Sequence, residues 1–187
     1  MVDEPSKDEI IWESSLEDHP EYVHAIGMIS IENANLESGL SDLFSSIIGV
    51  SPRVGYAIYL TPKSAIARIE IFENATNAAF APKKRGGGDD EHKAKLKRAR
   101  DRALKIAKRA RTVIGKRHGI IHDSWGIDEK HGVLRYITGS DRLESRPVPL
   151  PELQSLVRDF RRLIIDVDDM RAEFSEHPPY MIDLRLT

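Results

Sequence analysis

Residues 20–49 read PEYVHAIGMISIENANLESGLSDLFSSIIG. Within them Tyr22, Ile26, Ile29, Asn33, Leu36, Leu40, Leu43 and Ile47 recur at alternating steps of four and three. That spacing holds one stripe of side chains on one side of an α-helix, with the period of helices packed along one another. Pro20 suits a first turn and Gly49 a C-terminal stop. Asn33 lies inside the stripe and Glu37 borders it. Such polar groups either fix helix register or reach a partner across the bundle; for Glu37 the preferred partner is Arg117.

The same pattern continues outward. Ser51-Pro52 is a helix start, followed by a short helix through Val54, Ile58 and Tyr59. Thr61-Pro62 repeats the signal, and Ala65, Ile66, Ile69, Phe72, Thr76 and Phe80 mark a second long helix. Residues 81–90 read as a flexible loop rich in Gly and Lys. Asp89 and Asp90 suit the start of a third long helix, whose stripe is Leu96, Ala99, Ala103, Ile106, Ala110, Val113, Arg117 and Ile121. The pattern breaks after Trp125. Residues 126–149 read as a small β-hairpin followed by an extended, Pro-rich segment. Pro151 opens a fourth long helix with the stripe Leu153, Val157, Phe160, Ile164, Val167 and Phe174. The expected fold is therefore all-α: an up-and-down four-helix bundle over residues 20–176, with the hairpin inserted between the third and fourth long helices. Residues 1–19 read as an acidic, mostly disordered leader in which Trp12 could dock. Residues 177–187 form a tail suited to an edge strand or a partner contact.

A length of 187 residues with 40% hydrophobic and 31% charged composition fits one domain with a real core. Absence of Cys excludes a disulfide framework, thiolate zinc sites and cysteine nucleophiles, and suits a reducing cytoplasm. No apolar run reaches membrane-spanning length and the N-terminus is not a signal peptide, so a cytoplasmic protein is expected. The net charge of −2 conceals a division: residues 1–21 hold eight acids and one base, whereas residues 83–117 hold fifteen Lys and Arg against four acids. Lys93, Lys97, Arg100, Lys105, Lys108 and Arg111 are candidates to follow a nucleic-acid backbone. The competing reading is a solvated helix face screened by the acidic leader. Residues 83–117 contain no aromatic side chain, which argues against a base-stacking platform there.

The chemistry concentrates in Gly115–Gly126, GKRHGIIHDSWG. A guanidinium binds phosphate bidentately and stays charged, and an imidazole exchanges protons near neutrality. Arg117 with His122 is thus a working pair for phosphodiester chemistry, with His118 beside them. Structural roles compete: Arg117 and His122 could bond the last carbonyls of the helix, Asp123 could pair with Arg117, and Trp125 is better suited to a core anchor than to base reading. His118 and His122 have the i, i+4 spacing of some zinc sites, but no Cys and no Glu-bearing zincin motif accompany them. No metal and no cofactor are expected. Gly86-Gly87-Gly88 lacks the Lys-Ser/Thr that completes a phosphate loop.

With this motif the chain resembles the HEPN family, helical bundles of which many carry an Arg, four to six residues, and a His near the end of a core helix. Three other Arg–His pairs in the chain have the same spacing; only Arg117–His122 lies at a helix end and precedes a Trp. The resemblance assigns Arg117 to the family Arg, His118 to the polar position usually held by Asn or Asp, and His122 to the family His. It implies a metal-independent endoribonuclease working as a homodimer, of the toxin or defence kind, with an antitoxin or other protein to restrain it. It equally accommodates a non-catalytic dimerisation or interaction module, because folds outlast their chemistry. A basic-face nucleic-acid binder is the remaining alternative. Glu37, Asp123 and Trp125 are the expected supporting residues.

Overall fold

The computed structural model describes residues 16–81, 90–128, 132–137 and 144–176. The leader through residue 15, most of the 81–90 loop and the tail lie outside the described residues. Five α-helices and a three-stranded sheet make up the described part, after a short 3-10 turn at Leu16–Asp18.

Helix α1 spans Pro20–Ile48 and buries Ile29, Leu36, Leu40, Leu43 and Ile47, the stripe set by its sequence. Gly49 ends it at φ 71°, a left-handed turn that glycine adopts without a Cβ clash. Helix α2 (Pro52–Tyr59) folds back on α1: Gly55 sits so close to Ser45 that a Cβ would collide with it, and the Tyr59 ring lies 5.7 Å from that of Phe44. Burial drives the Tyr59 hydroxyl well above its ordinary value of 10.0, and nearby Glu37 adds to the shift.

Helix α3 (Ala65–Ala79) begins later than Thr61-Pro62 suggested. Thr61 instead donates its hydroxyl to the Ala57 carbonyl at 2.9 Å, closing α2, while Ser64 caps α3 by accepting the Ala67 N–H at 3.1 Å. Ile69, Phe72, Thr76 and Phe80 are buried as expected, but Ile66 is exposed.

Helix α4 (Asp90–His122) buries Ala103, Ile106, Ala107, Ala110, Val113 and Ile114, small and medium side chains that allow close helix approach. Helix α5 (Leu150–Glu176) completes the core with Leu153, Phe160, Leu163, Val167 and Met170.

Ion pairs give the helix directions. Arg161 pairs with Glu32 at 2.7 Å and Arg171 with Asp42 at 2.9 Å, both 129 residues apart, so α1 and α5 run parallel. Arg102 pairs with Glu173 and Arg109 with Asp166, so α4 and α5 run antiparallel. Strict alternation of the four long helices does not occur. The short α2 makes the extra reversal, which leaves α1 and α5 pointing the same way.

The insert also differs from the expected hairpin. Strands β1 (Ser124–Asp128), β2 (Gly132–Ile137) and β3 (Glu144–Pro147) form one antiparallel sheet in that order. The Pro-rich segment supplies the third strand because its proline falls at an edge, where no donor is missed. Trp125 ties the sheet to α4 by donating its indole N–H to the Ile120 carbonyl at 2.9 Å. No described helix is long and apolar enough to cross a membrane.

Candidate functional site

The site is built on the outer side of α4 and on its last two turns. Lys93, Lys97, Arg100, Leu104, Lys108, Arg111, Gly115, His118 and His122 follow one another at steps of four or three. An α-helix of 3.6 residues per turn keeps such positions on one stripe. The basic ridge and the two histidines therefore share one face of one helix. Lys105 lies on the adjoining flank.

The six bases are not equivalent. Lys97, Lys105 and Lys108 are exposed and have no ion-pair partner among the described residues. Lys93 pairs with Asp90 at 3.1 Å in full solvent, a contact of little energy. Arg100 donates twice to the amide oxygen of Asn77, at 3.0 and 2.7 Å, and so keeps its charge. Arg111 is held by Glu73 at 2.9 Å and faces Glu70 at 3.7 Å, so its charge goes to joining α4 to α3. Lys116 adds another exposed cation near the helix end, without an ion-pair partner among the described residues.

His118 and His122 are both exposed, and their ring centroids stand 4.6 Å apart. Arg117 is placed differently. Five residues turn an α-helix by about 140°, so Arg117 leaves α4 on the buried side while His122 faces solvent. No hydrogen bond joins Arg117 to either histidine among the described residues. Its Nε is buried and has no hydrogen-bond partner among them. An orphaned donor of this kind calls for an explanation, one of which is a ligand.

The two carboxylates expected to hold Arg117 have other partners. Glu37 binds Arg68 at 2.8 Å, because α3 packs against α1 on that side. Asp123 binds Arg135 at 3.1 Å, because β2 returns across the end of α4. Trp125 is partly buried against the core and acts as an anchor.

The sheet and α5 supply neighbours that no local sequence pattern marks. A recess of about 400 Å³ lies beside the end of α4 and includes Arg135, Arg146, Glu152 and Asp159 in its walls. Gly119 makes room for it, since the Arg135 guanidinium and the Asp123 carboxylate both approach within 3.3 Å of where a Cβ would stand. The signal in the sequence was that glycine together with Gly115, both inside an otherwise regular helix. Among the described residues no group of three or more His, Cys, Asp or Glu is arranged to hold a metal ion.

Comparison with protein-family models, curated proteins and solved structures finds no significant match to this chain.

Proposed function

We propose that the protein is a metal-independent RNA endonuclease of HEPN type, with an HEPN-like bundle as its helical body. The observation that carries this reading is the exposed His118/His122 pair at the end of the α4 ridge, directly after Arg117, whose buried Nε has no partner among the described residues. RNA carries its own nucleophile. In the proposed step the 2′-oxygen attacks the adjacent phosphorus, and His122 accepts the proton lost by that hydroxyl. The bond to the 5′-oxygen breaks, and His118 in its protonated form gives that oxygen a proton. The products are a 2′,3′-cyclic phosphate and a 5′-hydroxyl. Arg117 steadies the charge that gathers on the non-bridging oxygens. Neither Glu37 nor Asp123 takes up its guanidinium, since Arg68 and Arg135 hold those two carboxylates.

Lys97, Lys105 and Lys108 hold the strand along α4 by its phosphates. Arg117 and His122 leave the helix in different directions, so a two-fold dimer across the ends of α4 would let two copies complete one cleft. We propose a toxin or defence role for it, and an active toxin would need a protein that restrains it. Incubating mixed RNA with the protein in EDTA and identifying the new ends tests the proposal. Cyclic phosphate ends support it, and 3′-hydroxyl ends contradict it.

A second reading is a plain basic-face nucleic-acid binder. The unpaired Lys97, Lys105 and Lys108 favour it, and it gives the histidines no role.

A further inference from the structure

We infer that the recess beside the histidine pair is a base-recognition pocket that seats a guanine of the RNA strand being cut. The inference rests on the nuclease reading and gives it a sequence preference.

The recess is floored by Ile120 of α4 and Leu156 of α5, each 4% exposed, which offer apolar surface to the face of a base. Its walls are charged. Arg135 is ion-paired with Asp123, and Arg146 with Glu152. Three polar groups facing the recess have no partner among the described residues: the Lys116 ammonium, the Ser155 hydroxyl and the Asp159 carboxylate. Asp159 is half-buried, and a carboxylate with no partner among the described residues can accept hydrogen bonds from a ligand there.

Base chemistry selects among ligands. Guanine presents two adjacent N–H donors, at N1 and N2, and beside them the O6 acceptor. A carboxylate accepts both N–H groups at once, while a cation reaches O6 or N7. Adenine and cytosine each place a ring acceptor next to their amino group, which repels a carboxylate. Uracil has a single N–H between two carbonyls. Asp159 in one recess with Lys116 and Arg135 therefore matches guanine. Single-stranded RNA exposes these edges for reading.

The approach to the recess is equally specific. Gly115 lies mid-helix in α4, is exposed, and has nothing within 4 Å of a would-be Cβ. Neither packing nor backbone conformation requires a glycine there, and it costs about 1 kcal/mol relative to alanine. Gly115 and Gly119 lie on the helix between the histidines and the recess. A strand crossing α4 at these two glycines puts a base in the recess and the neighbouring phosphate at His118 and His122.

The test titrates wild type, Asp159→Asn and Ser155→Trp with the four nucleoside 5′-monophosphates, read by NMR, with circular dichroism confirming that the variants fold. Cleavage positions on mixed RNA are mapped on the same preparations. GMP is expected to bind at least about tenfold more tightly than the other three. Asp159→Asn should abolish that difference and Ser155→Trp should abolish binding. Equal binding of all four nucleotides, no binding at all, or binding indifferent to Ser155→Trp overturns the pocket. Selective GMP binding by a protein that cuts no RNA keeps the pocket and overturns the nuclease reading. Cleavage without guanine preference, unchanged in Asp159→Asn, overturns the pocket and keeps the nuclease.

Discussion

His118 and His122 stand one turn apart on the solvent side of α4, with ring centroids 4.6 Å apart and planes inclined at 50°. Neither ring is needed by the core, since both are exposed. A pair positioned this way can divide two proton transfers between neighbours. His118→Ala and His122→Ala should each lower the RNA cleavage rate by about 10²–10⁴. Each should change unfolding free energy by no more than about 0.5 kcal/mol, as surface substitutions do. Single-turnover cleavage and chemical denaturation check the two halves of this statement.

Arg117 gives a sharper contrast. Its Nε is buried without a hydrogen-bond partner among the described residues, so in the free protein this group costs stability. Arg117→Met keeps the length of the side chain and removes the orphan. It should raise the unfolding free energy by about 1 kcal/mol while eliminating cleavage. A purely structural role for Arg117 requires the opposite sign in the same denaturation experiment.

The lysine ridge should act through charge alone. Replacing Lys97, Lys105 and Lys108 together by Ala should weaken single-stranded RNA binding and reduce the slope of log K against log[salt] by about 2. Arg111→Ala should behave differently. It breaks the contact with Glu73, so its effect should include lost fold stability and not RNA affinity alone. Fluorescence anisotropy over a salt series, with thermal melts in parallel, separates the two.

Tyr59 makes alkaline stability predictable. Burial, assisted by Glu37, raises its folded-state pKa above the ordinary 10.0. The folded state then binds this proton more tightly than the unfolded chain does. The contribution is present in full below pH 10 and is lost as pH rises beyond it, at up to about 1.4 kcal/mol per pH unit for one proton. Denaturation midpoints from pH 8 to pH 11 should fall above pH 10 in the wild type and fall less in Tyr59→Phe.

The helices were legible because burial imposes a period. Ile29, Leu36, Leu40 and Leu43 on α1, and Ala103, Ile106 and Ala110 on α4, are spaced as a buried stripe must be. Local signals with two uses misled: Thr61-Pro62 resembles a helix start, yet the Thr61 hydroxyl closes the preceding helix. Helix direction was not legible, since it depends on pairs such as Glu32–Arg161, 129 residues apart. Glu32 is buried for the same reason, although nothing local distinguishes it from the exposed acids. At the site the sequence pointed to Arg117, His118 and His122 because they lie within six residues of one another. It misassigned the partners of Glu37 and Asp123, because Arg68 and Arg135 compete for them only once α3 and β2 are in place. The recess was not legible because its walls come from separate segments.

The proposed activity is metal-independent cleavage at Arg117 and His122. Wild type, Arg117→Ala and His122→Ala are compared on mixed RNA in EDTA, scoring both cleavage and the chemistry of the new ends. Cleavage by the wild type alone, leaving 2′,3′-cyclic phosphates, is the predicted result. Equal cleavage by all three proteins, or none by any while all three are folded, would contradict it.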